Sequence, residues 1–254
     1  MRQGAGTGPE LLDQRGGIAA SYLNARLRPI RSAMGERYPA VTIMRIAAVT
    51  TETEGTVGES KRKSNDLKVF VAGLTSDEKT TYDLAQRLLK ELIKPKGMHG
   101  ACYRVSVLLN RILSKEYGVT SEVVLGWIND GDDIFISHAW LNVGGKKVDL
   151  MAERPMHEES DRGPTIILDH VFKGSSNITY SYHLHKTEAA LAVDAAMAAK
   201  DPGYREMLRI KDTEHAKIAA AIASDRDKDA FLDEAAIRSG DGYTYARILS
   251  VIGR

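Results

Sequence analysis

The segment SHAWLNVGGKKVDL, residues 137–150, has one economical way to fold back on itself. Gly144-Gly145 separates two runs that alternate in polarity, and a two-residue glycine turn joins antiparallel strands tightly. With that turn set, Val143 pairs with Lys146, Leu141 with Val148, Trp140 with Asp149 and His138 with Met151. Side chains alternate across a strand, so His138, Trp140, Asp149 and Met151 share one face. Leu141, Val148 and Leu150 take the other. His138 and Asp149 become diagonal neighbours, with Cα atoms about 7–8 Å apart. A slip of one residue would put them on opposite faces.

Upstream of the hairpin, Gly97 and Gly100 precede an amphipathic run in which Val105, Leu108, Leu109 and Ile112 recur at i, i+3, i+4 and i+7. That spacing predicts a helix beginning at Cys102 and ending at Gly118. Cys102 is the only cysteine of the chain. At the positive end of a helix, unpaired N–H groups favour a thiolate and can also hold a developing oxyanion. A thiol, an imidazole and a carboxylate in this chain order are the parts of a Cys–His–Asp triad. His138 would carry the proton, and Asp149 would fix its tautomer.

A single cysteine excludes an intramolecular disulfide and a multi-cysteine zinc site, and it fits a reducing, cytoplasmic setting. The formal net charge is +1, so no global field points to nucleic acid or to an anionic membrane. The stretch MRQGAGTGPELLDQ carries no apolar h-region and no window is long enough to cross a bilayer, so a soluble protein is expected. No cofactor and no metal are expected, and the oligomeric state is open.

Residues 1–9 are Gly-rich; GAGTG lacks the preceding strand of a phosphate loop. Residues 9–34 suggest a helix broken near Gly16-Gly17, and 41–50 a buried strand. TETEGTVGESKRKSN (51–65) has loop composition, and LKVFVAG (67–73) reads as a strand. Ser76-Asp77-Glu78 starts a helix that buries Tyr82, Leu84, Ala85, Leu88, Leu89 and Leu92 before Pro95 and Gly97. SEVVLGWIN, IFISHAWLNV and KKVDLM form a meander, followed by a polar loop over 153–165. TIILDHVF and NITYSYHLH add two strands to the same sheet. From Lys186 onward the pattern is helical, broken near Asp201-Pro202 and Gly240-Asp241-Gly242. The expected organisation is an extension over 1–65, an α+β catalytic core over 66–185 and a helical region over 186–254.

GACYRVSVLLNRIL and SHAWLNVGGKKVDL resemble the Cys-helix and the His- and Asp-strand segments of the transglutaminase-like superfamily. The HAW tripeptide followed closely by a Gly turn is most similar to the bacterial branch that contains lasso-peptide leader peptidases. The resemblance covers about residues 80–151; the His-to-Asp spacing is short, and the aromatic residue often found before the Asp is lacking. It implies a papain-like core, with a Cys helix packed on an antiparallel sheet, and Cys102 as nucleophile, His138 as base and acid, and Asp149 as the orienting carboxylate. The function so implied is a cysteine peptidase, isopeptidase or deamidase acting on a protein or peptide. An acyltransferase with an amine acceptor and a non-catalytic binding module on the same fold are the alternatives.

Trp140 is a candidate substrate contact because it shares the His138 face. Ala101 supplies backbone near the oxyanion, and His99 could line the cleft or replace His138 as base. Trp127 could shape a groove or fill the core, and Ser106 packs or caps locally. His183-x-His185, with His170, could bind a metal but more often such residues line a solvated strand. Asp225-x-Asp227-x-Asp229 resembles a calcium loop, yet Ala230 stands where a Gly is required and Ala236 where the final Glu would be. A helix-starting acidic turn is the better reading.

Overall fold

The computed structural model describes residues 57–131, 135–156, 161–239 and 242–253, with side chains from residue 65 onward. The chain divides into two compact units, 1–67 and 68–254, and every residue of the candidate site belongs to the second. The expectations for 1–9, 9–34 and 41–50 fall outside the described residues. The described chain is α+β: seven α-helices, one π-helical turn and a six-stranded antiparallel sheet. No helix among the described residues is long and apolar enough to cross a membrane.

Helix α1 (Val57–Ala72) corrects two expectations, the loop from residue 57 onward and the strand over 67–73. The Val69-Phe70-Val71 run has strand propensity, but its use is decided by contacts far along the chain. Phe70 stacks on His170 with ring centroids 4.3 Å apart and meets Tyr82 edge-on at 5.9 Å. Val69 remains exposed, as a helix with one packed face allows.

Helix α2 (Ser76–Leu88) starts where expected, in a capping box: Thr75 accepts from Glu78 N–H and the Glu78 carboxylate accepts from Thr75 N–H. It buries Leu84, Ala85 and Leu88 and runs into a π-helical turn, Leu89–Ile93, which buries Leu89, Leu92 and Ile93. Tyr82 is only partly buried at the edge of this core.

Helix α3 (Cys102–Tyr117) ends at Gly118, whose φ of +66° is the left-handed conformation that glycine adopts without strain. Beyond the expected face, Val107, Asn110, Arg111 and Leu113 are also buried. A helix buried nearly all round lies inside the molecule. The strands cover one side of α3 and the C-terminal helices another.

The strands are β1 (Glu122–Asn129), β2 (Ile136–Val143), β3 (Lys146–Asp149), β4 (Thr165–Ile167), β5 (His170–Phe172) and β6 (Ser181–His183), in the order β5-β4-β3-β2-β1-β6. The meander β1–β2–β3 matches the expectation. The segment 165–172 does not: it is two strands, joined by Leu168 and Asp169 at φ of 54° and 62°. Asp169 is of a type that tolerates the left-handed region, but Leu168 is not, so the pair gives no clear turn signal. Tertiary contacts hold it, with Leu168 buried in the core and the Asp169 carboxylate accepting the Lys147 N–H at 3.0 Å. NITYSYHLH contributes only the short β6, at the opposite edge beside β1.

The C-terminal region forms α4 (Glu188–Lys200), α5 (Pro202–Ala221), α6 (Asp225–Arg238) and α7 (Tyr245–Val251). Asp201 caps α5 just ahead of Pro202, and Ser224 caps α6 at a further break. Leu232, Ile248 and Ile252 enter the same apolar cluster as Leu108, Leu141 and Val148. Arg111 of α3 ties this region down through Asp225 at 2.6 Å and Asp229 at 2.8 Å.

Candidate active site

The hairpin register is the one the turn dictates: Leu141 pairs with Val148, Asn142 with Lys147 and Val143 with Lys146. Gly144 and Gly145 have φ of 57° and 82°, which a two-residue turn demands and glycine alone supplies freely. One part of the expected ladder is corrected. The β2–β3 pairing ends at Leu141–Val148 and β3 stops at Asp149, so neither Trp140 with Asp149 nor His138 with Met151 forms a pair; on β1, His138 is paired with Gly126. The Asp149 carboxylate causes the stop, because its Oδ1 accepts the N–H groups of Met151 at 2.8 Å and Ala152 at 3.1 Å. A short acidic side chain that bonds the backbone ahead of it makes a turn in place of a ladder.

The other Asp149 oxygen, Oδ2, lies 2.7 Å from His138 Nε2. Nδ1 is the ring nitrogen left over, and Cys102 lies close enough to the same ring to act on its protonation. Cys102, His138 and Asp149 are 8%, 5% and 2% exposed, so the line of three runs through a largely dry region. Burial pushes the His138 imidazolium toward losing its proton. The negative charge of Asp149 and the neighbouring Cys102 outweigh that and raise its pKa to about 10. Burial likewise opposes the Asp149 anion, while His138, the Met151 N–H and the Tyr182 hydroxyl hold its pKa below the ordinary carboxylate value.

Cys102 is the first residue of α3, and Ala101 is the N-cap, with no side-chain acceptor. Helices α2, α4, α5, α6 and α7 are capped by Thr75, Thr187, Asp201, Ser224 and Thr244 through their side chains. On α3 the first amides have no such partner, and the Ala101 carbonyl already accepts from Val105 N–H at 2.9 Å. The approach to the cysteine is closely packed: Gly100, at φ +60°, donates its N–H to Arg154 O, and a Cβ there would meet Met156 Cβ at 2.9 Å. His99 is exposed and points its Nδ1 at the Pro155 carbonyl, 3.1 Å away. Ser106, one turn along α3, donates to Ala139 O and so pins the helix to β2.

Paired residues in a sheet lie on the same face, which extends the His138 face across the sheet. Through the β1–β2, β2–β3 and β1–β6 pairings it comprises Gly126, His138, Trp140, Asp149 and Tyr182. Trp140 is on this face as expected and is 7% exposed. Its ring lies over Gly126, where a Cβ would stand 2.7 Å from it, and meets Tyr182 edge-on at 5.1 Å. Trp127 is on the opposite face, between the parallel ring of His215 at 4.9 Å and the Lys186 ammonium at 4.3 Å.

Tyr182 was not singled out by the sequence. Its hydroxyl donates to Asp149 Oδ2 at 2.7 Å. The alternation of Tyr180, Tyr182 and Leu184 marks a strand face, but no local signal says which strand lies beside it. The structure also separates the histidines considered for a metal. His170 is in β5 at one edge, stacked on Phe70, while His183 is in β6 at the other, against Phe135. Asp225 and Asp229 are engaged by Arg111 at the start of α6. No family model, curated protein or solved structure matches the chain.

Proposed function

We propose that the chain is a thiol hydrolase of transglutaminase-like, papain-like design that cleaves an amide bond in a protein or peptide. One observation carries the reading: His138 is bonded through Nε2 to a buried carboxylate, and Cys102 is near enough to the same ring to raise its pKa. An imidazole so placed takes the thiol proton on Nδ1 while Asp149 holds the ring and its positive charge. The sulfur attacks the substrate carbonyl carbon, and the amides at the uncapped start of α3 face the developing oxyanion. Collapse of that intermediate breaks the C–N bond, and His138 delivers its proton to the departing amine. A water then attacks the thioester, giving its proton to His138, and the acid leaves with Cys102 restored.

The test needs no knowledge of the substrate. Iodoacetamide should label Cys102 quickly at neutral pH, and His138→Ala should slow that labelling on the order of 100-fold. Slow labelling that follows pH like a free thiol, with no effect of His138→Ala, would overturn the reading. With p-nitrophenyl acetate as acyl donor, release of acetate at a rate untouched by added primary amine supports water as acceptor. Amine-accelerated turnover with acetamide formation points instead to acyl transfer.

A further inference from the structure

Asp149 carries more donors than a triad needs. Its two oxygens receive the Met151 and Ala152 N–H groups, the His138 ring and the Tyr182 hydroxyl. Tyr182 stands out among these because of where it comes from. In the strand order, β6 lies three positions from β3, about 14 Å away in a flat sheet, which is farther than a tyrosine side chain reaches. The bond therefore requires the sheet to curl toward the His138 face. Gly126, lying between, permits it: a Cβ there would meet the His183 carbonyl of β6 and the Trp140 ring.

The surroundings of Tyr182 suit a fixed donor. Its ring meets Trp140 edge-on at 5.1 Å and His138 at 6.4 Å, and the Lys147 ammonium lies 3.4 Å from its centroid. Burial and the adjacent Asp149 charge raise the phenol's pKa far above its ordinary value, so the hydroxyl keeps its proton throughout the working range. An ammonium over the ring face also strengthens the O–H as a donor.

We infer that Tyr182 is a positioning residue of the thiol site, a fourth member that acts through Asp149. Its hydroxyl occupies the second acceptor direction of the oxygen that holds His138. The carboxylate can then neither rotate nor take the imidazolium proton, and Nδ1 stays aimed at Cys102. This inference rests on the thiol-hydrolase reading, and it adds a residue from an edge strand that the Cys-helix and hairpin motifs do not include.

The experiment is the pH profile of Cys102 alkylation by iodoacetamide in the full chain, for wild type, Tyr182→Phe and protein carrying 3-fluorotyrosine at 182. Phenylalanine keeps the ring against Trp140 and Lys147 and removes only the hydroxyl. Tyr182→Phe should alkylate about tenfold more slowly at neutral pH, the cost of losing one bond to a charged group. Its acid limb should move to higher pH, because Asp149 loses a donor that stabilises the anion. Fluorotyrosine should behave as wild type does, while circular dichroism and melting show all three proteins folded. Equal rates and limbs in all three would overturn the role of Tyr182 yet leave the triad standing, provided His138→Ala remains slow. A Tyr182→Phe protein that melts early, with a fluorotyrosine protein that melts normally and yet alkylates slowly, would also overturn it. Wild-type alkylation indifferent to His138 would overturn the triad itself, and Tyr182 with it.

Discussion

Two charged clusters flank α3, and they handle burial differently. At its N-terminal end, His138, Asp149 and Cys102 are all buried, and the Tyr182 hydroxyl that completes the group is largely so. In its middle, the Arg111 side chain is 4% exposed, but its partners Asp225 and Asp229 are 67% and 39% exposed. The Arg111 cluster is a clasp: the aspartates stay in water and the guanidinium joins two helices. A clasp loses little if its buried member becomes apolar. In the site cluster every polar group depends on another, so removing one leaves the others unsatisfied at a largely buried site. Such an arrangement is costly to keep unless the groups have work to do, which is why it, and not the clasp, is read as the site.

The sharpest way to break this comparison is truncation. Asp149→Ala leaves two backbone N–H groups, a phenol and an imidazole without their acceptor, and should destabilise the fold by about 3–5 kcal/mol. Arg111→Met fills the same volume and leaves both aspartates hydrated, so about 1 kcal/mol is expected, with Cys102 alkylation unchanged. Urea unfolding of the two variants measures both. Equal losses would remove the distinction.

A subtler separation comes from pH. The pKa of His138 is raised on folding, so the stability it contributes is fully present below about 6.5 and is lost as pH rises through about 10. The stability difference between wild type and His138→Gln should therefore shrink between pH 7 and 10. Asp225 and Asp229 have lowered pKa values, so their contribution is present above the ordinary Asp value and is lost only as pH falls. The difference between wild type and Arg111→Met should stay flat over the same alkaline range. The smallest effect is at the rim of the clasp. Lys115 and Asp229 are 38% and 39% exposed at 2.8 Å, so Lys115→Ala should cost under about 1 kcal/mol and less at high salt.

Legibility in the sequence followed the range of the interactions involved. Gly144-Gly145, the alternation around it and the period of the Cys102 helix are signals within one or two turns of chain, and all three appear in the structure. Placing His138 against Asp149 needed nothing more, since the register determines it. Errors arose where a segment's local preference was outweighed by a distant partner. Val69-Phe70-Val71 became helix with Phe70 stacked on His170, and Leu168-Asp169 became a turn held by the core and by Lys147. Tyr182 was invisible for the same reason: its significance lies in a bond across three strand positions.

The sequence by itself determined that an alternating hairpin turns at Gly144-Gly145, that its His138 face also carries Asp149, and that a helix begins at Cys102. Turn geometry and side-chain periodicity act on neighbours, so they can be read without knowing the fold. Only the tertiary structure decided that Cys102 meets the same imidazole as Asp149, that α3 is buried on nearly every side, and that an edge strand supplies Tyr182 to the carboxylate. Those outcomes depend on how a sheet curls and which helices cover it. Curl and cover come from burying the apolar surface of the whole unit together, which no single segment encodes.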